Sequence, residues 1–91
     1  MVLMVSYDLH EPGRDYSRVI NQIKEASGGY FHAQGSLWFI DTTSSTGWWR
    51  DELKGRVDGD DVFIVARLYR DWAGFNMSGA AKWLNASERR W

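Results

Sequence analysis

Ninety-one residues, 44 % hydrophobic and 25 % charged, make one domain: too short for two cores and too apolar for a disordered chain. A formal net charge of −1 argues against a general DNA-coating protein, which is distinctly basic, while leaving room for a local basic patch or a small ligand. The absence of cysteine excludes disulfides and thiolate metal sites.

Six tryptophans are the departure from an ordinary composition. So small a core cannot hide all of them together with the tyrosines and phenylalanines, so some rings are expected against a partner or ligand. The opening apolar run, Val2 to Val5, is far shorter than a membrane span and lacks the basic start and cleavage site of a secretory signal. The expectation is a cytoplasmic protein with no membrane partner.

In chain order, "VLMVSYD" (2–8) is dense in β-formers and predicts a central strand covered on at least one face. "HEPGR" breaks it. From Asp15, an expected N-cap, Tyr16, Val19, Ile20 and Ile23 fall on one helical stripe, and Gly28-Gly29 is the expected stop. "YFHAQGSLWFIDT" (30–42) reads as two short strands with Gly35 between them. In "SSTGWWRDELKGRV" a second helix is capped by Ser44 or Ser45, with Trp49, Leu53 and Val57 aligned. "DGDD" is a turn and "VFIVARL" (62–68) a strong strand. After a loop, "YRDWAGFN", a short helix places Met77, Ala80, Ala81 and Leu84 on one face.

The order β-α-β-β-α-β plus a C-terminal helix is the split βαβ arrangement of an α+β, ferredoxin-like fold: a four-stranded antiparallel sheet with both main helices on one face. The whole chain, 1–91, is one domain with its core in 2–68. The second sheet face must be polar, covered by the C-terminal segment, or buried in a dimer. Apolar residues on both sides of strand 62–68 favour burial on both sides and a homodimer packed sheet to sheet, with 69–91 as a clasp across the partner.

Four places in the sequence resemble a known family, three of them short motifs and the fourth a helix. Tyr7-Asp8-Leu9 ends the first strand, Gln34-Gly35-Ser36-Leu37-Trp38 resembles a Gln-x-Ser-aliphatic-aromatic step, and Asp60-Asp61-Val62-Phe63-Ile64 resembles an acidic turn entering the last core strand. With a helix between the first two, the pattern is similar to the small CRISPR-associated protein two (Cas-two) group over roughly 2–68. The wording "HEPGRDYSRV", "WAGFN" and "KWL" looks more like its stand-alone relatives outside CRISPR loci. The resemblance implies a ferredoxin-like fold and a two-fold dimer. In nuclease-active members the aspartate ending strand one of each subunit holds one divalent metal between them, and Asp8 maps onto that position.

Asp8 is therefore the candidate catalytic and metal-binding residue. Mg²⁺ commonly takes one or two protein carboxylates and completes its octahedron with water, so two symmetry-related Asp8 side chains would suffice. The plainer reading of Asp8 is a turn-former at a strand end. His10 and His32 are candidate ligands or bases, with a surface histidine as the alternative for each. Arg14 and Arg18 at a helix start offer a phosphate cradle, against a simply solvated helix end. Trp48, on the side of Glu52, is the ring free to stack on a base, or else a half-covered core edge. With Tyr7, Ser36 and Trp38 from the resembling motifs, the expected ligand-binding set is Tyr7, His10, Arg14, Arg18, Ser36, Trp38 and Trp48.

In the tail, basic and aromatic residues alternate (Arg67, Arg70, Trp72, Phe75, Lys82, Trp83, Arg89, Arg90, Trp91), which suits nucleic acid or a dimer clasp. Trp72 and Phe75 are expected in the clasp, and Glu88 to Trp91 are expected to fray. The functional expectation is a homodimer that handles a nucleotide or short nucleic acid, with Mg²⁺ if it is catalytic. A non-catalytic binder that sequesters a nucleotide signal in phage–host conflict, or a protein-interaction module, are the alternatives.

Overall fold

Strand β1 (Val2–Asp8) alternates its side chains between two apolar layers, and that alternation organises the molecule. The computed structural model describes residues 1–8 and 16–91. The chain continues through α1 (Ser17–Ala26), β2 (Gly29–Gln34), β3 (Leu37–Asp41), α2 (Thr46–Lys54), β4 (Val62–Leu68) and α3 (Ser78–Leu84). The strands form one antiparallel sheet in the order β2-β3-β1-β4, the ferredoxin-like arrangement expected from the sequence. No helix among the described residues is long and apolar enough to cross a membrane.

Leu3, Val5 and Tyr7 point to the face carrying α1 and α2 and pack with Val19, Ile23, Trp38, Ile40, Trp49 and Leu53. The α1 stripe Val19 and Ile23 is buried as its spacing requires. The expected cap Asp15 lies outside the described residues, and Tyr16 precedes the helix with no side-chain cap. The helix also closes one turn-residue before the glycines. Ser27 is already extended, Gly28 donates its N–H to the Asp41 carbonyl at 2.8 Å, and Gly29 opens β2. Gly29 serves close approach: a Cβ there would lie 2.9 Å from the Arg89 guanidinium.

Of the two serines proposed to cap α2, Ser45 does so, its Oγ accepting from Trp48 N–H at 3.1 Å. Trp49 and Leu53 are buried beneath α2, and the indole Nε1–H of Trp49 donates to Thr42 Oγ1 at 3.2 Å, so the buried ring keeps a partner. Val57 falls beyond the end of α2 and still packs on this core.

The opposite face is covered by the chain's own C-terminal segment. Ala80 and Leu84 of α3 pack on Val2 and Phe39, with Phe31, Leu68, Trp72, Met77 and Trp83 around them. The segment assigned from sequence to a partner's sheet thus lies on its own sheet. Trp72 is part of that packing, whereas Phe75 is 87 % exposed. Fraying of Glu88 to Trp91 is corrected by the structure. Arg89 donates to the Trp83 carbonyl and to the Asp41 carboxylate, and its guanidinium lies 3.9 Å from the Trp83 ring centroid. Arg67 donates to the Trp91 carbonyl. A buried carboxylate needs a counter-charge, and Arg89 supplies it from the tail.

α3 covers only one end of this face. Leu68 is partly buried against it, but Val62 and Ile64 at the other end of β4 are 66 % and 59 % exposed.

Candidate functional site at the tip of β1

Asp8 projects from the uncovered end of the α3 face, by alternation on the same side as Val2, Met4 and Ser6. It pairs in register with Val62 of β4, and the end of β1 is held to the β2–β3 turn by Tyr7 N–H donating to the Ser36 carbonyl at 3.1 Å. Asp8, Ser6, Ser36, Val62 and Ile64 share a shallow cavity of about 270 Å³. Asp8 is exposed and makes no ion pair among the described residues. The cavity therefore combines one free carboxylate, two serines and an apolar rim.

Two of the expected ligand-binding rings are core instead. Tyr7 is 4 % and Trp38 is 3 % exposed, and the Trp38 Nε1–H donates to the Tyr7 hydroxyl at 3.2 Å on the helix side of the sheet. Burial raises the Tyr7 pKa above its ordinary 10, partly opposed by the Trp38 hydrogen bond, with the neighbouring Tyr16 adding to the rise. His32 stacks flat on Trp38, centroids 4.1 Å apart at 4°, and its Nε2 lies 3.1 Å from the Gly35 carbonyl oxygen. That ring is a cover for Trp38 on the face away from Asp8.

Arg18 is also spoken for. Its Nη2 donates to the Gly55 carbonyl at 3.1 Å, tying α1 to the end of α2. Trp48 is 39 % exposed and packs edge-on against Trp49 at 5.3 Å, on the helix side. His10 and Arg14 lie outside the described residues. Of the proposed set, the structure brings together Asp8, Ser36 and Tyr7, whose ring turns to the helix side while the residue still lines the cavity, and separates them from Arg18, Trp38 and Trp48. Ser6, Val62 and Ile64 were not singled out as site residues. Their signal was the strand alternation that puts them on Asp8's side.

The donors suit a hard cation: a carboxylate and hydroxyl oxygens with no sulfur. Among the described residues no three His, Cys, Asp or Glu side chains converge, so the described part of one chain offers Asp8 alone as a charged ligand here.

A second basic-aromatic cavity, about 340 Å³, lies under the tail between Arg70, Trp72, Asn85, Ser87 and Trp91. The Arg70 guanidinium stands 5.7 Å from the Trp91 ring centroid. No family model, curated protein or solved structure matches this chain.

Proposed function

We propose that this protein is a homodimer that handles a nucleotide or nucleic acid, with Asp8 of both subunits holding a Mg²⁺ ion between them. The observation that carries this reading is the coincidence, at one end of one sheet face, of an exposed carboxylate with the exposed apolar pair Val62 and Ile64. Apolar side chains left bare beside a sheet's paired strands favour burial against another surface. A two-fold axis through this end would bury them and bring the two Asp8 carboxylates to the same place. An axis at this end is favoured because α3 covers the Val2–Phe39 end of the same face.

The cation, when bound, would supply charge neutralisation and polarisation at a phosphate. Asp8 would hold it, and the Ser6 and Ser36 hydroxyls would hydrogen-bond its water shell or the phosphate. Val62 and Ile64 would exclude bulk water from the rim, which strengthens every charge interaction inside. The neutral, buried Tyr7 would act through position alone, fixing the backbone from which Asp8 projects.

A second reading, a non-catalytic nucleotide binder, is favoured by the Arg70–Trp91 cavity, whose guanidinium and indoles suit a phosphate and a base. One experiment separates the two. Wild type, Asp8→Ala and Arg70→Ala are incubated with RNA, DNA and a nucleotide panel, with and without Mg²⁺, following cleavage and thermal shift. Cation-dependent turnover lost in Asp8→Ala supports the first reading. A rise in Tm with one nucleotide, lost only in Arg70→Ala, supports the second. No turnover and no shift in any arm contradicts both.

A further inference from the structure

The α3 face contains a second feature that the reading above does not use. Between the sheet and α3 lies a cavity of about 230 Å³, walled by Met4, Phe39, Leu68, Trp72, Met77 and Leu84. Among the described residues that line it, Gln34, from an exposed position on β2, carries the one amide side chain, and Trp72 brings an indole N–H.

We propose that this cavity is a binding site for a small uncharged aromatic molecule, one or two fused rings in size, carrying a single hydrogen-bonding group. The volume sets the size: an apolar cavity of about 150 Å³ accepts benzene, so this one has room for a substituted ring. The walls set the chemistry. Two thioethers and two aromatic rings surround the space, and sulfur–aromatic and ring–ring contacts reward an aromatic occupant beyond simple burial. No charged side chain among the described residues lines it, so an ionised ligand would lose its hydration without a counter-charge. Gln34 offers both a donor and an acceptor, which fits one hydroxyl, amine or carbonyl on the ring.

The shape of the mouth is built in by the backbone. Asn76 holds φ at 56°, a left-handed conformation, and a Cβ on Gly74 would lie 2.2 Å from Met77 Sδ. The loop thereby brings the Gly74 backbone close against the Met77 side chain at the edge of the cavity. At its other end α3 is anchored through Arg89, bonded to both the Trp83 carbonyl and Asp41. The Ala80 and Leu84 side chains pack on Val2 and Phe39, and the cavity lies beside that contact.

The chain has three methionines, and two of them, Met4 and Met77, line the cavity. Met1 packs against the cluster on the helix side and serves as an internal control. Protein labelled with ¹³C at the methionine methyls is titrated with phenol, indole, benzene and benzoate. Phenol and indole are expected to shift the Met4 and Met77 signals with one shared midpoint, leaving Met1 in place, with benzene weaker and benzoate silent. Ala73 lines the mouth from an exposed loop position, so Ala73→Phe should fill the site without disturbing the fold. That variant is expected to keep the wild-type Tm and to weaken phenol binding about tenfold or more. Silent Met4 and Met77 methyls across the panel, equal movement of Met1, or undiminished binding in Ala73→Phe at wild-type Tm would each overturn the proposal.

Discussion

Two aspartates end strands on the same face of this sheet and meet opposite fates. Asp41, at the end of β3, is buried, with Arg89 at 3.3 Å, Arg90 at 3.9 Å and the N-terminal amine at 4.0 Å. Asp8, at the far end of β1, is exposed with no ion pair among the described residues. Both follow an apolar strand, so local sequence does not distinguish them. The difference comes from where the C-terminal segment lies: it covers the Asp41 end, supplies its counter-charge and leaves the Asp8 end bare. A carboxylate paired with counter-charges inside the fold is structural, whereas one left beside a bare apolar rim is available to bind.

The largest expected effect lies at the covered end. Leu84→Ala removes a buried anchor of α3 and is expected to cost about 3–4 kcal/mol in urea unfolding. Asp41→Asn, which strips a buried guanidinium of its principal carboxylate, is expected to cost about 3 kcal/mol, toward the low end of the usual range because Glu88 still pairs with Arg89. If Asp41→Asn proved as mild as Asp8→Asn, the contrast between the two ends would be lost.

Tyr7→Phe probes the support beneath Asp8. It leaves the buried Trp38 Nε1–H unpaired, at an expected cost of about 1–2 kcal/mol near neutral pH. The pH dependence has a definite sign. The folded state holds the Tyr7 proton above the ordinary pKa of 10, so the unfolded chain ionises first as pH rises. Stability from this group is complete below about pH 10 and declines above it as the unfolded phenol ionises. Tyr7→Phe should reduce that alkaline decline in denaturation curves measured from pH 8 to 11. The smallest effect belongs to the bare end: Ile64→Lys should alter monomer stability by less than about 0.5 kcal/mol while abolishing self-association in sedimentation.

The fold was readable because periodicity and turn chemistry agree along most of the chain. The β1 run, the Val19–Ile23 stripe, the Ser45 cap and the Trp49–Leu53 pair each sit where their spacing places them. The site was less readable. Tyr7 and Trp38 enter the expected site through the resembling motifs, and a strand's alternation does not reveal that the helices cover their face. The tail was misjudged for a related reason. Its basic residues resembled a solvated end, and nothing local tells that Arg89 returns to a carboxylate 48 positions earlier. Long-range charge pairing is set by topology, and topology is what single-sequence patterns carry least.

The central claim is that two copies meet at the bare end and share a cation through Asp8. It is tested most directly by titrating the protein with Mn²⁺ while following mass by sedimentation, for wild type and Asp8→Ala. The account predicts one ion per two chains, bound by the dimer and absent from Asp8→Ala. A wild type that stays monomeric under Mn²⁺ saturation, or an Asp8→Ala variant that binds the ion as wild type does, would contradict it.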